Sequence, residues 1–348
     1  MIKTKAAILE TLNKPLIVDE IELPSLRWGQ VLVKVKKSGI CGAQLGEISG
    51  VKGEDPYLPH LLGHEAVGEV VEIGDEVKKV KAGDKVILHW REGRGLEAPL
   101  PNLLWRGNKL NCGRITTFSE YTIVSENRVT KIDSSSLDEN VLAIMGCAVC
   151  TSFGIVTKQA KVRFGESVLV LGCGGIGLTA VIAAKAARAH PVVGVDLYDK
   201  KLALAKKVGA DFVLNGKHND LYSTLMGFTK GAGFDVVIET TGNVKVIELA
   251  YEIASPKGRV ILAGVPHFKE KASFYTLPLH FGKVLIGSKG GDTNPDYDIP
   301  RYLKAIEKFN LPLSSIITHR GKLDEINSLI SLMREGECGR CVVEFEGH

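Results

Sequence analysis

Residues 167–178 read Ser-Val-Leu-Val-Leu-Gly-Cys-Gly-Gly-Ile-Gly-Leu, and this stretch decides how the rest of the chain is interpreted. The apolar run at 168–171 is typical of a strand buried on both faces of a parallel sheet. The Ala-rich segment that follows lacks Pro and internal Gly, which predicts a helix. Between them, Gly172, Gly174 and Gly177 form the pattern G-x-G-x-x-G. A strand, a glycine-rich turn and a helix in that order are typical of a dinucleotide-binding fold.

Each glycine of this pattern has its own physical reason. Gly172 makes the tight turn, Gly174 lets the backbone approach a pyrophosphate, and Gly177 lets the helix pack on the strand. Gly175 and Ile176 lie between them at the helix N-terminus, where free N–H groups and the positive dipole end attract phosphates. We therefore predict that all five residues bind the cofactor.

A second apolar run at 192–195 ends in Asp196. A carboxylate at this distance accepts hydrogen bonds from a ribose 2′-OH and repels a 2′-phosphate, so NAD is expected rather than NADP. The alternative for the whole pattern is a glycine-rich turn without a ligand. The strand, helix and acid in their proper order favour NAD.

The composition indicates a globular protein of two domains. The chain has 348 residues, 45% of them hydrophobic, and a net charge of only +4, which gives no reason to expect nucleic acid or membrane partners. No apolar stretch resembles a spanning helix or a signal peptide. Seven cysteines without a secretion signal favour reduced thiols or metal ligands over disulfides, and a cytoplasmic location.

The pattern of the chain changes near residue 150. Residues 1–149 contain alternating apolar runs separated by Pro, Gly and Asp, which predict a β-rich domain. Residues 150–289 alternate strands with helices and contain six strands, the number in a doubly wound parallel sheet. Residues 290–348 return to mixed character and are expected to fold back onto the first domain.

Three residues are candidates for a metal site: Cys41, His64 and Cys147. Two thiolates and one imidazole supply three of the four ligands of a catalytic zinc ion, which leaves the fourth position open. Their wide spacing does not by itself join them. Each has a simpler interpretation, since buried cysteines act as small hydrophobic residues and a single histidine is commonly a core residue.

Motifs along nearly the whole chain resemble those of the zinc-dependent medium-chain alcohol, polyol and sugar dehydrogenases. These motifs are Gly39-Ile40-Cys41-Gly42, Leu62-Gly63-His64-Glu65, Ala82-Gly83-Asp84-Lys85-Val86, Gly146-Cys147 with Thr151, the glycine pattern, and Gly264-Val265-Pro266. The resemblance implies an α/β protein with a GroES-like β domain (1–149 and 290–348) and a Rossmann NAD-binding domain (150–289) with a six-stranded parallel sheet. The active site would lie in the cleft between them.

The resemblance also implies the roles of individual residues. Cys41, His64 and Cys147 would be the catalytic zinc ligands, and Glu65 an acid that coordinates zinc directly or through water. Further NAD contacts are carried over to residues in several segments: Asp196 and Lys201 at the adenosine ribose, Thr151 at the nicotinamide, Gly264 and Val265 along its carboxamide side, and Arg340 at the pyrophosphate.

The chain departs from the family pattern in three places. The segment that carries a structural zinc in many members contains only Cys112, so one zinc per chain is expected. Ala43 and Gln44 replace a hydroxyl residue and an acid, so the proton would leave through Glu65, His89 or a hydroxyl of the substrate. Cationic residues at 91–114 suit either an anionic substrate or a solvated loop.

The sequence therefore predicts zinc-assisted, NAD-dependent oxidation of an alcohol, with a polyol or sugar-like substrate. A homodimer or homotetramer is implied by the resemblance, joined along the edge strand near 284–287. The alternatives are a zinc-free quinone or enone reductase of the same superfamily and a non-catalytic NAD-binding protein. The presence of both cysteines, the histidine and Asp196 argues against the reductase.

Overall fold

A computed structural model of the chain describes residues 2–133 and 135–345. Residues 2–133 and 135–160 form ten strands and three short α-helices, with a 3₁₀ turn at Glu126–Arg128 and π-helical turns at Met145–Val149 and Ile155–Gln159. The strands are β1 (Ile2–Leu9), β2 (Ile17–Leu23), β3 (Gln30–Ile40), β4 (His60–Leu61), β5 (Glu65–Ile73), β6 (Lys85–His89), β7 (Leu103–Trp105), β8 (Asn108–Leu110), β9 (Tyr121–Ser125) and β10 (Val129–Lys131). The helices are α1 (Gly42–Ser49), α2 (Glu139–Ala143) and α3 (Cys150–Gly154).

The remaining elements alternate and then return to the first part of the chain. The strands are β11 (Val168–Leu171), β12 (Val192–Asp196), β13 (Phe212–Asn215), β14 (Phe234–Glu239), β15 (Ala254–Leu262), β16 (Val284–Gly287), β17 (Ile317–Lys322) and β18 (Arg340–Glu344). The helices are α4 (Gly175–Ala186), α5 (Asp199–Lys207), α6 (Leu221–Phe228), α7 (Val244–Ile253), α8 (Leu277–His280), α9 (Pro295–Lys308) and α10 (Ile326–Arg334).

Strands β11–β16 form one parallel sheet in the order β13-β12-β11-β14-β15-β16. This is the doubly wound order, in which the strand sequence reverses beside the first strand. All four residues of β11 are buried, as expected for a strand covered by helices on both faces. The predicted α/β fold with a six-stranded parallel sheet is confirmed.

The other strands form two mainly antiparallel sheets. One has the order β4-β1-β2-β7-β8, and the other runs β10-β6-β5-β3-β18-β17, with β9 also paired to β3. In the second sheet Cys341 of β18 lies opposite Ile40 of β3, so the end of the chain forms part of the sheet that leads to Cys41. The domain boundaries given above stay predictions.

Local sequence accounts for where some elements begin. Helix α9 begins at Pro295 because Pro suits the first helical turn and because Asp296 and Asp298 complement the helix dipole there. Strand β17 begins at Ile317 because a 3₁₀ turn occupies Leu313–Ile316. Among the residues described, the helices are all too short or too polar to cross a bilayer.

Candidate metal and cofactor site

The three predicted metal ligands meet at one point of the fold. Cys41 follows β3 and precedes α1, His64 lies just before β5, and Cys147 lies in the first π-helical turn. The Sγ atoms of Cys41 and Cys147 are 4.0 Å apart, and the three ligand atoms lie within 4.8 Å of one another. Within residues 2–133 and 135–345, no other His, Cys, Asp or Glu groups converge in this way.

This geometry fits zinc. With Zn–S bonds of about 2.3 Å, tetrahedral coordination puts two sulfurs about 3.8 Å apart, close to the separation of the two thiols. The Nε2 atom of His64 is buried and has no hydrogen-bond partner among the described residues. A metal ion would satisfy that atom, since a buried polar group without a partner is costly.

The two thiols also favour binding of a cation. The hydrogen bond from Cys147, helped by His64, lowers the pKa of the Cys41 thiol, whereas the same bond and burial raise the pKa of Cys147. The side chain of Thr151 opposes this rise in the pKa of Cys147. Thiolates are the form that binds zinc, so metal binding would displace both protons.

Gln44 holds two of the three ligands. Its Oε1 accepts a hydrogen bond of 2.9 Å from the backbone N–H of Cys41, and its Nε2 lies 2.6 Å from Nδ1 of His64. One buried amide side chain therefore orients both the imidazole and the start of α1.

Glu65 does not join this group. Its Oε1 forms an ion pair with Arg340, and its Oε2 accepts hydrogen bonds from the backbone N–H groups of Cys147 (3.1 Å) and Ala148 (3.0 Å). Both side chains are almost fully buried. The carboxylate is thus committed to a partner and to the turn that carries a ligand, so direct coordination of zinc by Glu65 is not the arrangement seen.

Arg340 extends this set of contacts to the glycine-rich turn. A Cβ atom on Gly175 would overlap the Cδ of Arg340, so the side chain lies against the first residue of α4. Its Nε is buried without a hydrogen-bond partner among the described atoms. A phosphate oxygen at the N-terminus of α4 would provide one, which fits the expected cofactor.

The backbone conformation and the contacts of the glycines of this turn agree with the reasons given for each of them. Gly172 has φ +91°, a value that L side chains rarely adopt, and a Cβ on Gly177 would overlap the carbonyl oxygen of Gly172. The position of a Cβ on Gly174 has no atom within 4 Å, so that side of the turn is open. Ile176 follows within the first turn of α4, where its side chain is half-buried.

Asp196 is held at the end of β12 by the backbone. Its two oxygens accept hydrogen bonds from the N–H groups of Cys173 (2.7 Å) and Tyr198 (3.1 Å). Lys201 lies over the ring of Tyr198, with Nζ 5.0 Å from the ring centre. The acid and the cation are therefore beside the open end of the glycine-rich turn, where a ribose is expected.

Glu239 is a buried residue that the sequence analysis missed. Its Oε1 accepts hydrogen bonds from the N–H groups of Thr241 (2.6 Å) and Gly242 (3.0 Å), while its Oε2 has no partner among the described residues. A Cβ on Gly264 would overlap the backbone of Gly242, and Val265 beside it is exposed. The signal was an acid at the end of an apolar strand, in the run Phe234–Glu239.

Glu47 is a second residue that the sequence did not single out. It lies on α1 three positions after Gln44, on the same face of the helix, and its side chain is half-buried. Burial raises the pKa of its carboxyl, although the positive charges of His64, Lys52 and His60 oppose that shift.

His89 and the cationic segment are engaged elsewhere. The ring nitrogens of His89 lie 2.7 Å from the Arg91 carbonyl oxygen and 2.9 Å from the Thr130 hydroxyl, and burial lowers its pKa to about 4. Arg91 donates to the carbonyl oxygen of Lys289 (3.0 Å). Arg106 pairs with Asp19 and Arg114 with Glu97. Three cationic side chains of this segment are therefore engaged by the protein.

Two family descriptions match this chain. Residues 27–134 match the alcohol dehydrogenase GroES-like domain, and residues 175–308 match zinc-binding dehydrogenases. Among curated proteins, S-(hydroxymethyl)glutathione dehydrogenase of Escherichia coli is 33% identical over 99% of this chain and 100% of the relative.

Solved structures of similar proteins share the whole fold. An alcohol dehydrogenase zinc-binding domain protein from Burkholderia ambifaria has a TM-score of 0.91 at 26% identity, covering 99% of this chain and 100% of the other. Benzyl alcohol dehydrogenase from Acinetobacter calcoaceticus has a TM-score of 0.89 at 23% identity, with the same coverage. At the latter identity the likeness shows the fold alone.

Proposed function

The chain belongs to the zinc-dependent medium-chain alcohol dehydrogenases, and from that membership we propose that it oxidises an uncharged polyol or sugar-like alcohol to the carbonyl with NAD, and catalyses the reverse reaction. One observation carries the proposal. The three metal ligands Cys41, His64 and Cys147 form what we call the ligand cluster. A continuous set of contacts, from Cys147 through Glu65 and Arg340 to Gly175, joins this cluster to the glycine-rich turn. Metal and cofactor thus belong to a single site.

Each residue has a role in this site. Cys41, His64 and Cys147 hold one zinc ion per chain, which when bound supplies Lewis-acid polarisation of the reacting oxygen. Gln44 orients His64, and Glu65 orients the turn that carries Cys147.

The cofactor is held along the edge of the parallel sheet. The N-terminus of α4 and Arg340 bind the pyrophosphate, and Asp196 with Lys201 binds the adenosine ribose. Thr151, Gly264 and Val265 line the nicotinamide side. NAD supplies the hydride acceptor, and the protein supplies its orientation.

Ala43 cannot take the proton of the alcohol because it has no hydroxyl. The roles of His89 and Glu65 in proton transfer are set aside, because both side chains are buried and engaged. We assign the proton to the carboxylate of Glu47, which lies on the same helix face as Gln44, the contact of His64. Burial raises the pKa of this carboxyl towards the range useful for a general base.

An uncharged, hydroxylated substrate suits these side chains. Three arginines of the cationic segment are engaged by the protein: Arg106 pairs with Asp19, Arg114 pairs with Glu97, and Arg91 donates to a backbone carbonyl. Glu47 would accept hydrogen bonds from substrate hydroxyls and repel carboxylates. The second candidate is an S-hydroxymethyl thiol, which is favoured by the relative named for S-(hydroxymethyl)glutathione.

The experiment is a rate comparison on zinc-loaded protein with NAD. Polyols and reducing sugars are compared with simple aliphatic alcohols, benzyl alcohol and S-(hydroxymethyl)glutathione, following formation of NADH. The proposal expects the highest kcat/KM among the polyols and sugars. The highest kcat/KM with the glutathione adduct would select the second candidate. Enone reduction by metal-free protein would overturn both.

We also propose that two copies pair along β16, with a homotetramer as the alternative assembly. Among the strands that the structure describes, β16 pairs only with β15 and lies at the edge of its sheet. Large apolar side chains beside it are exposed, including Tyr275 and Phe281, each 71% exposed. An open strand edge and apolar rings favour association.

All seven cysteines are unbridged, which supports a cytoplasmic location.

A further inference from the structure

Two of the cysteines lie outside the metal site and flank Arg340. Cys338-Gly339-Arg340-Cys341 is a C-x-x-C sequence, in which Cys341 belongs to β18 and Cys338 lies two residues before it. Both thiols are unbridged and belong to one buried cluster, in which the Sγ of Cys341 also donates to the carbonyl oxygen of Leu329 at 3.8 Å. Cys341 is fully buried and Cys338 is 4% exposed, so Cys338 is the thiol nearer to solvent. The proposed function uses neither of them.

The segment around this pair lies against the nucleotide-binding elements. Gly336 packs on the ring of Tyr198, and Glu337 forms an ion pair with Lys200 at the start of α5. Between the two cysteines, Arg340 contacts both Glu65 and Gly175. A change in the backbone at residues 338–341 therefore changes the position of the Arg340 guanidinium, which links the metal ligands to the glycine-rich turn.

We propose that Cys338 and Cys341 are a redox modification site: a peroxide converts them to an intramolecular disulfide, which displaces Arg340 and weakens cofactor binding. The modification itself stands independently of the proposed function. Its effect on NAD rests on the proposed function, because Arg340 is assigned there to the pyrophosphate.

The reaction takes two steps and needs only a hydroperoxide. The Cys338 sulfur attacks the peroxide, so an S–O bond forms, the O–O bond breaks, and one water leaves with the thiol proton. The Cys341 sulfur then attacks the Cys338 sulfur, the S–S bond forms, the S–O bond breaks, and a second water leaves. Two thiols lose two electrons and two protons to one peroxide.

Cys338 is the better nucleophile of the two. The hydrogen bond from Cys341 lowers the pKa of Cys338, and the nearby charge of Lys201 acts in the same direction. The pKa of Cys341 is raised by the same hydrogen bond and by burial. A thiol with a lowered pKa and a second thiol close by in the sequence is the arrangement that redox-sensitive cysteines use.

The competing pair is Cys41 and Cys147, whose sulfurs are also close. Zinc would protect that pair, so the experiment uses zinc-loaded protein and measures the zinc content before and after oxidation. The protein is treated with hydrogen peroxide, the free thiols are blocked, and the peptides are mapped by mass spectrometry. NADH affinity is measured by fluorescence titration on the same samples.

The expected result is a loss of two hydrogens confined to the peptide with Cys338 and Cys341, with zinc retained. We expect the Kd for NADH to rise about tenfold and to return after dithiothreitol. In Cys338→Ser, Kd should be unaffected by peroxide, whereas Cys112→Ser should respond as the unaltered protein does. Free thiols at both positions after oxidation would overturn the modification. A mapped disulfide with unchanged NADH affinity would overturn the coupling, and a reduced protein that binds no NADH would instead count against the proposed function.

Discussion

The carboxylate of Glu65 and the guanidinium of Arg340 form an ion pair whose side chains are 0% and 2% exposed. Each partner also contacts a different part of the site, since Glu65 accepts hydrogen bonds from the turn of Cys147 and Arg340 lies against Gly175. A buried pair of this kind is costly to break, because removal of one partner leaves an uncompensated charge. It therefore fixes the position of the ligand cluster relative to the glycine-rich turn.

Arg340→Ala should lower the free energy of unfolding by about 3–5 kcal/mol, since Glu65 would be left charged and buried. Urea unfolding measures this loss, and NADH titration should show weaker binding in the same variant. The double variant Glu65→Gln with Arg340→Met is the control, because neither charge remains. If the double variant is as unstable as Arg340→Ala, the ion pair is not the reason for the loss.

Removal of metal should expose two thiols and lower the melting temperature. Zinc at 100 times its Kd stabilises a folded protein by about 2.7 kcal/mol. Elemental analysis is expected to find one zinc per chain, and a chelator should release it and raise the number of reactive thiols by two. The Cys147→Ser variant should bind zinc weakly and show little change on chelation. Two zinc ions per chain would contradict the single-site proposal.

Asp196→Ala should change the choice of cofactor. A hydrogen bond to a charged group is worth about 1.5–3 kcal/mol, so kcat/KM for NAD should fall about 10- to 100-fold, while that for NADP should fall less or rise. The neighbouring Asp199→Asn is a matched control, because that carboxylate accepts from Asn215 instead. If kcat/KM falls equally with NAD and NADP, Asp196 stabilises the turn but does not select the cofactor.

Glu47→Gln should lower kcat by about 100-fold, as for a general base, with NADH affinity unchanged. Burial raises the pKa of this carboxyl, so the base is lost as the pH falls through a value above that of an ordinary Glu. The acid limb of the kcat/KM profile should therefore disappear in Glu47→Gln and persist in Glu47→Asp. The exposed Glu54→Gln serves as the control. An unchanged acid limb in Glu47→Gln would rule out this role.

Gly177→Ala should unfold more easily and bind NADH poorly, because the new Cβ would overlap the carbonyl oxygen of Gly172. Overpacking of this kind costs about 1–3 kcal/mol. Gly227→Ala in α6 is the matched control, since nothing lies within 4 Å of its Cβ position. That variant should gain about 0.5–1 kcal/mol from the higher helix propensity of Ala. Urea unfolding measures the free energy of unfolding of both variants. The explanation is wrong if Gly177→Ala and Gly227→Ala change that free energy in the same direction.

Features that depend on neighbouring residues could be predicted from the sequence. The strands of the parallel sheet are short apolar runs, and the reasons for Gly172 and Gly177 follow from a local strand-turn-helix pattern. The short helix α1 was missed because its eight residues include two glycines and only a weak apolar stripe. The π-helical turn at Cys147 was missed because no residue type signals that hydrogen-bond pattern.

Features that depend on distant residues could not be predicted from spacing. Cys41, His64 and Cys147 were joined only through a family resemblance, since periodicity contains no information about strand register between β3 and β5. Arg91 belongs to the cationic segment that suits either an anionic substrate or a solvated loop, and its Nε donates to the carbonyl oxygen of Thr293, 202 positions away. A cation in a loop has no sequence signal that tells whether the fold supplies its partner.

The pairing of β18 with β3 also affects how this protein is made. Cys341 lies opposite Ile40, the residue before the first ligand, so the strand that leads to the ligand pairs with a strand that is synthesised much later. Long-range pairings of this kind form slowly. Until β17 and β18 have left the ribosome, β3 lacks this neighbour, and a nascent chain with such an open edge is prone to aggregation or chaperone capture.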